Sequence, residues 1–372
     1  MGVTSQDVSV APPVVAPTPR NTGLDRARAV AVIAMVMGHT LDAVLSDTAR
    51  QSTGMLAYWS LRAITAPLFL FVAGWAFATT VQRTGVRGLP VWRRYLPRVG
   101  LLLLWGYVLR WPGWALEGLL AGRVEIWRHF LAFDALHGVA GALLIGSGVL
   151  SVVAGRGPRM AVMAGLALLF PWVSPWMRQV VAAGDWPLVL EQALVGRTSN
   201  FPLFPWSAYF FVGCVAGLGL AGVKRVPHWL ILLGGGTGML GAVSLWSGIV
   251  ASRWGDVTLV CWRVGLLGVA AGCAMLLPAR LDGWLGPVGR ASLWVYVVHL
   301  PLAYGWSTFP GLGSRLGHSQ TAPAALGLAL AVLATSLVIA LPAKTLYGRW
   351  RKRARPSAER AGALSPRPPV SE

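Results

Sequence analysis

The chain of 372 residues is 55% hydrophobic and only 12% charged, with a mean hydropathy of +0.60. A soluble domain carries roughly 25% charged residues, so this composition excludes an ordinary soluble protein and points to a polytopic membrane protein. The formal net charge of +19 is not a nucleic-acid signal, because the basic residues sit in short loops between apolar runs and not along one polar stripe.

Residues 1–21 are rich in Pro, Val, Ala, Ser and Thr and lack the basic start and apolar core of a signal peptide. They are expected to form a disordered cytoplasmic tail. Apolar segments of about 17–25 residues then predict helices over 24–47, 58–82, 94–111, 134–154, 159–177, 204–222, 228–251, 257–277, 286–306 and 322–347. The expected fold is all-α, a transmembrane bundle of about ten helices over 22–350, followed by a basic, Pro-containing tail over 351–372.

The Lys/Arg bias orients it. Arg20, Arg26, Arg28, the run from Arg83 to Arg98, Arg156, Arg159, Lys224, Arg225, Arg280, Arg290 and everything from Lys344 onward fall on one side. That side is read as cytoplasmic, which puts both termini inside and makes this a multi-pass inner-membrane protein. The 45 Gly and 19 Trp suit close helix packing and interfacial anchoring, and "GGGTG" at 234–238 is read as packing. Residues 178–203, the longest outer connection, are read as either an acceptor-shaping loop or a connector.

The stretch "LDRARAVAVIAMVMGHTLDAVLSD", 24–47, raises the functional question. Ionisable groups inside a span cost free energy and default to function. His39 lies eleven residues beyond Arg28, roughly 16 Å along the helix axis at 1.5 Å per residue, toward the outer leaflet. Asp42 follows one turn later on the same face, placed to orient the imidazole and raise its basicity. His299 falls at a similar depth in the ninth helix, where it can line the same cavity.

Asp134 and His137, one turn apart at the outer start of the fourth helix, either bind an acceptor or form a polar helix start. Trp206 either stacks on a sugar or belongs to the interfacial belt. Arg93, Arg94 and Arg98, in "VWRRYLPRVG", either grip phosphates or anchor the chain on the inside. Cys214, Cys261 and Cys273 lie in apolar runs without paired spacing, and no HExxH or clustered carboxylates occur, so neither a disulfide framework nor metal catalysis is indicated. Three classes remain open on the residues alone: an enzyme using His39, a transporter or flippase in which His39, Asp42 and His299 line a polar pathway, and an inactive relative of such an enzyme acting as an assembly or sensing component.

Arg28 and His39 as "R-x10-H", followed by "APLFLFVAGW" at 66–75 and "SLWVYVVHLPL" at 292–302, resemble the acyltransferase-3 family of integral membrane acyltransferases. "FDALHGVAGALL" (133–144) and "NFPLFPWSAYFFVGCVAG" (200–217) are similar to the heparan-alpha-glucosaminide N-acetyltransferase-like branch. One departure is Ala73-Gly74, where the family often shows Ser-Gly. The resemblance implies transfer of an acyl group, acetyl in the first instance, from cytoplasmic acyl-CoA to a hydroxyl or amine of an extracytoplasmic glycan or lipid-linked sugar. Arg28, with Arg93, Arg94 and Arg98, would hold the CoA phosphates; His39, supported by Asp42, would be the general base; and Asp134, His137, His299 and Trp206 would face the acceptor. Direct transfer and an acyl-histidine intermediate both stay open.

Overall fold

Backbone N–H and C=O groups in lipid have no water to bond, so long apolar runs close their hydrogen bonds internally as helices. A computed structural model of the chain describes residues 22–62, 64–221, 223, 226–249 and 255–354. Residues 1–21 and 355–372, the bulk of both expected tails, lie outside the described residues, as do Arg20, Lys224 and Arg225 from the topology argument.

The long helices are α1 (Thr22–Val44), α2 (Thr65–Thr84), α3 (Leu89–Leu109), α4 (Ala135–Val152), α5 (Arg156–Ala183), α6 (Leu203–Leu220), α7 (His228–Ile249), α8 (Gly255–Leu276), α9 (Ser292–Tyr304) and α10 (Ala322–Ala354). Eight are long and apolar enough to cross a membrane; α3 reaches that standard only together with Gly113–Leu120, bent from it by 56°, and α9 is shorter. No strand occurs among the described residues, which hold two isolated bridges. This is a polytopic helical membrane protein.

Several expected boundaries are corrected. The second helix does not run unbroken over 58–82: Thr53–Arg62 is a separate helix, and α2 starts at Thr65. Pro67, in the first turn of α2, lacks the N–H that would continue a helix from the turn before it. The ninth is also divided, with Asp282–Arg290 ending at Ala291 before α9. At 13 residues, α9 spans roughly 20 Å against a hydrocarbon core of about 30 Å. α3 begins at Leu89, with Pro90 in its first turn, so Arg93 and Arg94 lie within it. α5 continues through Pro171 and Pro175 to Ala183, and α10 continues through 351–354, which were expected to be tail.

Gln320, just ahead of α10, donates its N–H to Val44 O at 2.9 Å, so α10 starts where α1 ends. The two run antiparallel, and Thr22 and Ala354 lie at one end of the bundle, here called proximal; the end at Val44 is distal.

Small residues bring the helices close. On α2 and α6, a Cβ added to Gly74 would run into the Phe210 carbonyl, and one on Gly213 into the Phe71 carbonyl. Gly236 of the "GGGTG" stretch meets the backbone of α8 at Gly265 and Gly268 in the same way. At the proximal end Gly289 sits against the Asp25 carbonyl, which seats Asp282–Arg290 on α1. Backbone contact of this kind replaces the hydrophobic driving force that helices lack in lipid. Gly213→Val is therefore expected to destabilise the fold by about 1–3 kcal/mol through overpacking, read as a lower melting temperature of the purified protein in detergent. Gly165→Ala, with open space around it, should leave that temperature unchanged.

Candidate active site

α1 ends in a turn whose last carbonyls have no helical partner. Arg50 supplies one: its Nε donates to Leu45 O at 3.1 Å, and its Nη2 donates to Asp42 O and lies 3.0 Å from His318 Nδ1. The same guanidinium pairs with Asp42 Oδ1 at 3.2 Å and lies over the Trp59 ring at 5.4 Å. Asp42 is thereby fixed with its second oxygen turned to α9.

There Tyr304, 43% exposed, donates its hydroxyl proton to Asp42 Oδ2 at 2.8 Å. The Tyr304 oxygen lies 3.0 Å from His39 Nδ1. A hydroxyl has one proton, and Asp42 receives it, so the His39 contact is an Nδ1–H donating to Tyr304. That assigns the tautomer and leaves His39 Nε2 as a lone pair able to accept a proton. His299 lies beside it, ring centroids 5.4 Å apart. His299 is fully buried, gives its Nδ1–H to Val295 O at 3.0 Å, and has an Nε2 without a hydrogen-bond partner among the described residues.

His39 and Asp42 open onto a cavity of about 1070 Å³ at the distal end. Its wall also includes Asp134, Asn200, Trp206, Arg110, Arg263, Tyr296 and Tyr304. The segment 178–203 reaches it through Asn200, next to Phe201, whose N–H donates to Phe133 O at 3.1 Å. Asp134 accepts from the Ala135 N–H as the N-cap of α4 and faces Arg110 at 4.0 Å.

His137 is placed differently. It is fully buried against Gly106, between Tyr107 and Phe133, and its Nδ1 accepts the Asp134 N–H at 3.1 Å, closing a capping box. It does not line the cavity, whereas Asp134 does.

The four candidate phosphate residues lie at the proximal end, apart from this cavity. Arg28 pairs with Asp25 at 3.6 Å, and Arg290 approaches the same carboxylate at 3.8 Å. Arg93, Arg94 and Arg98 are exposed along the first turns of α3. Next to them Arg26 caps α8, donating to the carbonyls of Met275 and Leu277 and pairing with Asp282. The Arg26 hydrogen bond holds the Asp282 carboxyl below its ordinary range. No cluster of three or more His, Cys, Asp or Glu able to hold a metal ion occurs among the described residues.

The comparisons with known sequences add the class of chemistry. The family described as an acyltransferase domain matches residues 21–341. The chain belongs to the acyltransferase-3 family. No curated protein matches it. The match takes in every helix of this membrane acyltransferase up to the middle of α10, and therefore the whole cavity wall.

Among the polar residues of the site that were not singled out from the sequence are Tyr304, Tyr296, His129, Arg50, Arg110 and Arg263. The arginines fall among the minority of basic residues on the outer side. Tyr304, five residues after His299, is rotated by roughly 140° from it on an ideal helix, so its spacing gave no signal; it reaches His39 from the last residue of α9.

His129, in the short helix Val124–Phe130, also lines the cavity, and burial followed by the Arg110 charge pushes its pKa below the usual 6.5. A lowered folded value means the neutral ring favours folding. Its contribution is complete above the unfolded pKa of about 6.5 and is lost as pH falls through the lower folded value. Melting temperature should therefore drop between roughly pH 7 and 5, and His129→Gln should make that drop shallower. An identical pH profile for the two proteins would count against this.

Proposed function

We propose that this membrane acyltransferase takes an acyl group, acetyl in the first instance, from acyl-CoA at the cytoplasmic, proximal end. It delivers that group to a hydroxyl or amine of an extracytoplasmic glycan or lipid-linked sugar in the distal cavity, within the inner membrane. His39 is the general base. The observation that carries this reading is the Asp42–Tyr304–His39 chain, which leaves Nε2 of one imidazole unprotonated on a cavity wall.

In the proposed step, His39 Nε2 takes the proton of the acceptor O–H or N–H as that atom attacks the thioester carbonyl. The C–S bond then breaks, the sulfur leaves as thiolate, and the imidazolium returns its proton to it. The products are an ester or amide and the free CoA thiol. Asp42 stays ionised and, through Tyr304, balances the charge on His39 while the proton is held there. Arg28, with Arg93, Arg94 and Arg98, supplies cations for the CoA phosphates at the proximal end. The roughly 16 Å from Arg28 to His39 is the gap that the pantetheine arm has to cross.

Asp134 and Trp206 supply the acceptor side. The segments 133–144 and 200–217 bring Asp134, Asn200 and Trp206 to the cavity, and this mix of hydrogen-bonding and aromatic side chains supports a sugar acceptor.

The test is release of CoA thiol from acetyl-CoA by the purified protein with membrane extract as acceptor. His39→Ala should lower the rate by about 10²–10⁴-fold, the range of positioned general-base catalysis. Tyr304→Phe removes one hydrogen bond to a charged group and should cost about 10–100-fold. Comparing surface glycan and lipid masses of wild-type and His39→Ala cells then identifies the acceptor as the species missing one acyl mass. Wild-type thiol release from His39→Ala, or substrate transport with no thiol released, would sink the proposal.

A further inference from the structure

The cavity wall carries two acids, Asp42 and Asp134, and two arginines, Arg110 and Arg263, while Arg50 reaches Asp42 from behind the wall. Among the acids on it, Asp42 pairs with Arg50 at 3.2 Å and Asp134 faces Arg110 at 4.0 Å. Arg263 also lines the wall, and it forms no ion pair among the described residues. It stands eight residues into α8, roughly 12 Å along the axis from Gly255, within a span. Among the described residues its guanidinium makes one hydrogen bond, a long one, Nη1 to the Tyr209 hydroxyl at 3.4 Å. Its Cζ lies over the Trp206 ring, 5.6 Å from the centroid.

An arginine held inside a span without an acid is costly, and such residues face a polar cavity and mark what passes through it. Stacking on Trp206 fixes the guanidinium plane and leaves N–H edges free for the two-point contact that guanidinium makes with carboxylate and phosphate oxygens. A neutral sugar hydroxyl would leave that charge unmatched.

We infer that Arg263 is the anchor for an oxyanion of the acceptor, a carboxylate or phosphate borne by the sugar or by the lipid that carries it. This rests on the distal cavity being the acceptor pocket of the transferase. The acceptor class is then anionic: the charged group sits against Arg263 and Trp206, and the hydroxyl or amine to be acylated extends toward His39.

The test uses the full chain in phosphatidylcholine nanodiscs, free of anionic lipid and phosphate buffer, and follows melting temperature against concentration of three probes: methyl glucuronide, glucose 1-phosphate and methyl glucoside. The two anionic sugars should raise the melting temperature saturably, and the neutral glycoside should not. Arg263→Gln should raise the half-saturating anion concentration about tenfold or more, the effect of losing a hydrogen bond to a charged group. Arg263→Lys, which keeps the charge without the fork, should fall between the two and guards against a folding defect in the glutamine variant. Arg178→Gln, at an ion pair outside the cavity, should match wild type.

A further arm adds phosphatidylglycerol to the disc. An Arg263-dependent rise from that lipid alone assigns the oxyanion to a lipid phosphate, and a rise only with the sugars assigns it to the sugar. Equal protection by the neutral glycoside, no protection by either anion source, or protection unchanged in Arg263→Gln would overturn the inference. Thiol release with membrane extract is read separately. It persists if only the anion anchor is wrong, and the Arg263-dependent protection persists if only the acyl-transfer reading is wrong.

Discussion

One guanidinium, that of Arg50, holds the end of α1 in the form the site needs. Helix C-termini leave carbonyls without N–H partners and carry partial negative charge, and a carboxylate in the last turn adds to it. Arg50 meets all of this at once, with the carbonyls of Asp42 and Leu45 and the Asp42 carboxylate as its acceptors. With one Asp42 oxygen held there, the other is left for Tyr304, and Tyr304 in turn has only its oxygen lone pairs left for His39. The protonation of the imidazole thus follows from a sequence of single-proton constraints that begins at Arg50 and crosses from α1 to α9.

The proximal end of α1 is tied down by a separate ionic group. Arg26 caps α8 and pairs with Asp282, while the buried Asp25 lies between Arg28 and Arg290. Between the two ends, Ala27, Ala29, Ala31, Val32 and Val36 are almost completely buried in the main core. Short and β-branched side chains allow close approach and have little rotamer freedom to lose. α1 therefore behaves as a strut fixed at both ends, and the spacing of Arg28 from His39 is set by helix geometry.

The sequence made His39, Asp42, His299, Asp134 and Trp206 readable because a polar or aromatic residue stands out where an apolar run should continue or begin. The cavity wall brings His39, Asp42, Asp134 and Trp206 together, with His299 against His39. Asp134 and His137 have equivalent sequence spacing to a functional pair, yet the same spacing also makes a capping box, and that local bond turns His137 away. Arg50, Arg110 and Arg263 were unreadable for a different reason: they fall among the minority of basic residues on the outer side, and a Lys/Arg bias orients the spans without telling which outer arginines face a cavity. The ten apolar bodies were legible from length alone. The breaks before Thr65 and at Ala291 were not, because hydropathy averages over a proline or a close glycine contact that decides whether two helical pieces remain one.

The two imidazoles give a final constraint on the proposed reaction. His39 and His299 both use Nδ1–H as a donor, to Tyr304 and to Val295 O, so both present Nε2 as an acceptor. Two acceptors cannot bond each other, and the buried His299 Nε2 has no other partner among the described residues. An unsatisfied buried polar atom costs about 1–3 kcal/mol. In the proposed reaction, a proton taken up at His39 Nε2 would add a donor beside the His299 ring, whose centroid lies 5.4 Å from that of His39. The His39 imidazolium would then have Asp42, reached through Tyr304, on its Nδ1 side and the buried His299 ring beside it, so both neighbours would be in place before any proton moves.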